Sequence, residues 1–188
     1  MKTLIHIIPT LENGGAETVL SRLVEEFSDS NIEQFVITSQ GATTDFHYAS
    51  INEYATVLHW KTNPEEVEQL ILQNLRTPIV AWMYPAILLV HKLKHRLKTD
   101  NPIFWNIRHS SFRWNQIYQK LALFIFGFYT HLKQPKIIYC SYRSKEVHEM
   151  YFFSKKSMIV IQNRLAKKQT LNQLKDHASV SYTHLTLP

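Results

Sequence analysis

Apolar positions along this chain follow two alternating rhythms. Short, nearly continuous apolar runs fall at Leu4-Ile5-His6-Ile7-Ile8, at 34–38, at 55–60, at Ile79-Val80-Ala81-Trp82, at Ile103-Phe104-Trp105-Asn106-Ile107, at Lys136-Ile137-Ile138-Tyr139-Cys140 and at 157–161. They are too short for helices and rich in β-branched and aromatic residues, so they predict strands. Pro78, Pro102 and Pro135 each stand just before one of them, where a missing N–H is tolerated. Between the runs the period changes. Ala16, Val19, Leu20, Leu23, Val24 and Phe27 keep one face of a helix, which predicts a helix over 16–28. Similar patterns predict helices near 64–75, 85–98, 114–132 and 142–152. Asn63-Pro64-Glu65-Glu66 reads as a helix start, with an Asn cap, proline at the first position and acid in the first turn. Segment 41–54 reads as a loop with a short helix, and there is no internal repeat.

Strands that alternate with helices predict βαβ units, hence an α/β fold with a mostly parallel sheet and helices on both faces. Continuous apolarity of the strands agrees, because a parallel sheet is buried on both sides. Ligands of such sheets collect at the carboxyl ends of the strands. The segments to inspect are therefore Pro9 to Glu17, Ser39 to Thr44, Lys61 to Asn63, Met83-Tyr84, Arg108 to Phe112 and Ser141 to Arg143.

Composition narrows the class. With 188 residues, 45% hydrophobic and 19% charged, the chain suits one globular domain. A single cysteine, Cys140, excludes an internal disulfide and a cysteine-built zinc site, and suits a reducing compartment. The N-terminal apolar run ends at Pro9, too short for a signal-peptide core, and no stretch approaches the ~18 apolar residues of a membrane span. A cytoplasmic location is expected. The net charge of +6 is lopsided: residues 1–100 hold 8 Lys and Arg against 12 Asp and Glu, and residues 101–188 hold 13 against 3. An anionic partner for the second half follows, with a plain solubilising surface as the alternative. No helix-turn-helix, RNP or zinc-finger pattern supports nucleic acid.

Two of the chain's four glycines form the pair Gly14-Gly15, between the first strand and the first helix. Backbone N–H groups at a helix start, unhindered by side chains, suit a phosphate or carboxylate, whereas a tight turn without a ligand explains the glycines equally well. The loop Thr10-Leu11-Glu12-Asn13-Gly14-Gly15-Ala16-Glu17 lacks the Lys and Ser/Thr of a P-loop and the spacing of G-x-G-x-x-G. After the fifth run comes the polar cluster Arg108-His109-Ser110-Ser111, in which His109 is either a site residue or loop packing. Ser141 reads as a helix cap rather than a nucleophile. His91 and His95 share a helix face, but with Lys92, Lys94 and Arg96 around them they read as a solvated basic face rather than a metal pair. Trp82, Trp105 and Trp114 read as core or sheet-edge residues.

The segment LIHIIPTLENGGAETVLSRLV, residues 4–24, resembles the opening of family 4 glycosyltransferases of GT-B fold, in which a strand runs into a G-G-A-E turn and an amphipathic helix. Trp105-Asn106-Ile107-Arg108-His109 resembles the family's strand that ends near a histidine facing the donor sugar. The stretch IIYCSYRSKEVHEMYFFSKKSMIVIQN is similar to its last strand-helix-strand unit, although Gln162, Arg164 and Ala166 stand where the family has Pro, Gly and Asp. The resemblance implies a Rossmann-like half of a GT-B enzyme over 1–166, the start of an interdomain segment over 167–178, and a non-native, adapter-like tail over 179–188. It implies a retaining glycosyltransferase that moves a sugar from a nucleotide-sugar donor to a glycan or lipid-linked acceptor in bacterial surface polysaccharide synthesis. No cofactor or metal is implied. By the resemblance Gly14, Gly15, Glu17 and Arg108 belong to the donor and phosphate site and His109 to catalysis, with Asn13, Ser110 and Arg143 on the acceptor side. The second domain, with its Arg/Lys pair and E-x7-E signature, has no counterpart in the chain, which is expected to be inactive alone. The rival reading is a non-catalytic Rossmann-like module that binds a nucleotide or phosphosugar. Leu121 to Tyr129, flanked by Arg113, Lys120, Lys133 and Lys136, is either a buried helix stripe or a helix lying on an anionic membrane, which would make the protein peripheral on the inner face of the cytoplasmic membrane.

Overall fold

Each apolar run becomes a strand, and the helices fill the intervals between them. In a computed structural model, which describes residues 2–109, 117–156 and 158–162, the strands are β1 (Lys2–Ile8), β2 (Ile32–Thr38), β3 (Thr56–His59), β4 (Ile79–Trp82), β5 (Ile103–Ile107), β6 (Lys136–Tyr139) and β7 (Met158–Val160). The helices among the described residues are α1 (Gly15–Glu26), α2 (Tyr48–Asn52), α3 (Pro64–Gln73), α4 (Met83–Leu97), α5 (Ile117–Lys133) and α6 (Tyr142–Glu149). Every strand pairs in parallel, in the order β3-β2-β1-β4-β5-β6-β7. This is a Rossmann-like α/β fold. Ser110, Trp114 and the expected boundaries beyond residue 162 lie outside the described residues.

Alternation along the strands divides the core in two. Ile5, Ile7, Ile37, Ala81, Trp105, Ile107 and Ile137 face α3, α4 and α5, where Val67, Ile71, Ile87, Val90 and Leu123 complete one layer. Ile8, Val36, Val57 and Trp82 face the other way, against Ala16, Leu20 and Val24 of α1 and Ile51 of α2. Helices thus cover both faces. Trp82 and Trp105 are core residues, both essentially inaccessible.

Two local expectations are corrected. Asn63 stands at the N-cap of α3 but accepts no backbone N–H there; its amide instead donates to Glu66 Oε2 at 3.1 Å, and Pro64 at the first position carries the helix start. His91 is half-buried and turned towards the sheet. Its Nε2 accepts the Trp105 indole N–H at 3.0 Å, and its Nδ1 lies 3.3 Å from the Tyr129 hydroxyl, so both ring nitrogens are engaged inside the layer between α4 and α5. Burial, with Lys94 nearby, lowers its pKa. His95, one turn on, is exposed. Among the described residues no group of three or more His, Cys, Asp and Glu is placed to hold a metal ion.

Candidate functional site

The strand order reverses direction between β1 and β4, so the chain leaves β1 towards α1 on one face and leaves β4 towards α4 on the other. The crevice at that point is where open parallel sheets receive ligands. β4 enters α4 without a connecting loop, and Met83 absorbs the change of direction with φ of 68°, a left-handed conformation that costs a non-glycine residue on the order of 1 kcal/mol or more.

The β1–α1 connection forms one wall. Leu11 is fully buried and tied down twice, its N–H donating to Asp45 Oδ2 at 2.9 Å and its carbonyl accepting from His47 N at 2.8 Å. Beyond this anchor Glu12 and Asn13 are exposed and the chain turns into α1 at Gly14. Gly14 has extended dihedrals, φ −151° and ψ 165°, and neither glycine has positive φ, so the backbone path does not demand glycine here. What separates the two positions is space. A Cβ at Gly14 would run into the Glu17 carboxylate, which folds back over the helix start, whereas a Cβ at Gly15 would meet nothing within 4 Å. No side chain caps α1. The first-turn N–H groups of α1, which have no carbonyl of the preceding turn to pair with, lie between the Glu17 carboxylate and the open space at Gly15. Thr18 Oγ1 donates to Gly14 O at 2.8 Å and lies 3.3 Å from His47 Nε2, which pins the first turn to α2.

The exit of β5 forms the opposite wall, two strand spacings or roughly 10 Å from β1. Arg108 is half-buried with its guanidinium carbon 5.4 Å from the Trp82 ring centre, and desolvation lowers its pKa. Trp82 in turn donates its indole N–H to His6 Nδ1 at 3.2 Å. Burial pushes His6 down to about 4, so its ring is neutral, with the proton on Nε2 because Nδ1 accepts. His109 is exposed next to Arg108, and its carbonyl accepts the Ser144 hydroxyl at 2.6 Å. Ser144 belongs to α6, whose cap is Ser141: the Ser141 hydroxyl accepts Ser144 N–H at 3.0 Å, as the cap reading expects. One turn further, His148 donates from Nδ1 to Ser144 O at 2.6 Å and accepts at Nε2 from the Tyr84 hydroxyl at 2.5 Å. Burial, with His109 adding a smaller push, lowers His148 to about 4. A chain of hydrogen bonds thus links Tyr84, at the β4 exit, to the backbone of His109.

The structure brings Gly14, Gly15 and Glu17 to one side of the switch point and Arg108 and His109 to the other. Asn13 stands on the same rim as the glycines. Arg143 lies apart, on the exposed side of α6 beyond β6, where it is 3.8 Å from Glu146. Sequence reasoning passed over His6, Asp45, Trp82 and Ser144 as parts of this region. A histidine inside an apolar strand was a legible signal for His6. Asp45 carried none, because its partner is a backbone N–H 34 residues away.

No protein-family model matches the chain, and no curated protein sequence matches it. Among solved structures it is similar to the apo form of the lipopolysaccharide outer core galactosyltransferase WaaB, with a TM-score of 0.58 and 16% sequence identity over 90% of this chain and 47% of that one. The chain spans about half the length of that structure. The likeness is one of fold.

Proposed function

We propose that this chain is the acceptor-side half of a retaining GT-B glycosyltransferase, acting with a second Rossmann-like domain to move a sugar from a nucleotide-sugar to a glycan or lipid-linked acceptor of a bacterial surface polysaccharide. The observation that carries the reading is the pairing, across the switch point, of an open glycine at an uncapped helix start with a desolvated arginine and an exposed histidine. The likeness in fold to a galactosyltransferase gives that pairing its chemical context.

In this reading the donor diphosphate lies between the first turn of α1 and Arg108. Backbone N–H groups at Gly15 and Ala16 stabilise the charge that develops on the leaving phosphate, and Arg108, held against Trp82, neutralises it from the other side. Glu17 repels phosphate, so its carboxylate accepts from a sugar hydroxyl instead. His109 hydrogen-bonds the sugar undergoing transfer and does not act as a nucleophile. Asn13, Ser110 and Arg143 are offered to the acceptor. No step requires a metal, because the arginine and the helix start supply the positive charge. The protein works in the cytoplasm.

Release of nucleoside diphosphate from a panel of nucleotide-sugars, measured on the complete gene product, tests the reading. Transfer that is retained in the parent and lost in Arg108→Ala supports it. Nucleotide binding by calorimetry without any turnover would instead make the domain a binding module.

A further inference from the structure

Two residues at the junction of β4 and α4 hold the exit of β5. Met83, at φ of 68°, separates Trp82 from Tyr84 and sends them into different layers. Trp82 lies in the layer of α1 and carries the Arg108 guanidinium over its ring, whereas Tyr84 lies in the layer of α4 and α5, with its ring centre 5.0 Å from that of Phe126. Arg108 and His109 are neighbours in sequence. The side chain of the first is thus held from the junction directly, and the peptide of the second through His148 and Ser144.

Proton positions along that second connection follow from its two carbonyls, which can only accept. Ser144 O accepts from His148 Nδ1 at 2.6 Å, so the imidazole proton is on Nδ1 and Nε2 keeps its lone pair. Tyr84 is therefore the donor to Nε2. At the other end His109 O accepts from the Ser144 hydroxyl. His148 is fully buried. Around it stand Tyr84 from α4, Tyr139 from β6 at 5.3 Å between ring centres, Phe153 from the segment after α6 at 5.0 Å, and His109 from the exit of β5. Glu149, next to it on α6, is committed to Lys145 and Lys155. Burial in this cage favours the neutral ring, the form in which His148 can donate at one nitrogen and accept at the other. Sealed from solvent, His148 cannot touch a substrate. What it can do is fix its neighbours.

We propose that Tyr84 and His148 are positioning residues for His109, through which the exit of β4 sets where the exit of β5 presents its histidine. The proposal rests on the reading of His109 as the group that faces the transferred sugar. A link missing from the connection leaves a buried donor or acceptor unpaired, and His109, its exposed end, is the one that can shift to compensate.

NMR of the isotope-labelled chain and turnover by the complete protein test it together. Long-range proton–nitrogen spectra at neutral pH should show His148 uncharged, with its proton on Nδ1. Tyr84→Phe keeps the ring and removes the donor, and should shift the amide and imidazole signals of His109, which stands beyond His148 and Ser144. In the complete protein it should lower kcat on the order of tenfold with KM for the donor little changed. Combined with His109→Ala it should cost nothing further, because both changes act on one contact. Ser144→Ala, which cuts the connection on the other side of His148, is the second variant should Tyr84→Phe not fold. A charged His148 or one protonated on Nε2 alone, His109 signals that stay in place in both variants, or losses that multiply in the double variant would each overturn the proposal. Turnover left intact by His109→Ala would instead sink the sugar-facing reading of that residue, and the NMR measurement, which needs no substrate, still decides whether Tyr84 and His148 hold its peptide.

Discussion

Histidine 109 and its neighbours show how much of a site depends on groups that touch nothing but backbone. The imidazole is exposed, but its peptide is held by the buried Ser144 hydroxyl, so Ser144 is a positioning residue for it. Replacing His109 by Ala should lower transfer by the complete protein roughly 10–1000-fold, the scale of one well-placed polar contact. Ser144→Ala should cost about 1 kcal/mol of stability and a smaller loss of turnover, read by denaturant melts and donor consumption side by side. Gly15→Val separates the two quantities in the other direction. A side chain there enters open space, so the melting midpoint should hardly move while turnover falls, and an unchanged rate would remove the phosphate role from this turn. His6 and His148 set a pH dependence. Both have folded-state values near 4 against an ordinary 6.5, so below about pH 6.5 the unfolded chain binds more protons than the folded one. Their contribution is complete above that pH and declines as the pH falls towards 4, by about 1.4 kcal/mol per pH unit for each histidine. Melts between pH 7 and 4.5 should show this fall, and His148→Gln should flatten it.

Within the elements, the same residue type means opposite things in different places. Gly127 lies in the middle of α5, where exchanging glycine for alanine ordinarily stabilises an exposed helix by ~1 kcal/mol. Here a Cβ would be driven into the backbone of Tyr151 and Phe152, so Gly127→Ala should destabilise, by about 1–3 kcal/mol, in thermal or denaturant unfolding. The glycine is kept for a close approach between segments rather than for its dihedral freedom. Asp45 illustrates the complementary case. Its carboxylate caps no helix but holds the Leu11 peptide, and with it the connection that carries Gly14 and Gly15 to the crevice.

At the scale of the molecule, two core layers lie back to back on one sheet, and each contains one fully buried tryptophan, Trp105 in the larger layer and Trp82 in the smaller. A sheet whose strands serve both layers cannot lose one and keep the other. Denaturant unfolding followed by tryptophan fluorescence and by far-ultraviolet circular dichroism should therefore give coincident transitions. Two separated transitions would show that the layers melt independently.

Element identity and order were legible in the sequence because they are written in local periodicity. The run Ile103 to Ile107 is a strand and Ala16 to Phe27 a helix for reasons contained in a few neighbouring side chains, and alternation of the two types makes a parallel sheet the arrangement that buries them. The same alternation made the carboxyl ends of the strands the place where a site is expected. Tertiary structure alone decided which exits face one another. Parallel pairing of β1 with β4, in which Ile5 meets Ile79 across a separation of 74 residues, sets Gly15 across from Arg108, and no local pattern encodes that distance. It decided that His91 turns inward, because the Trp105 indole that needs an acceptor comes from another strand. It decided, too, that the apolar surplus of α5 is divided between core and solvent: a sequence shows how much apolar surface a helix carries, whereas burial of one side depends on what the rest of the fold places against it.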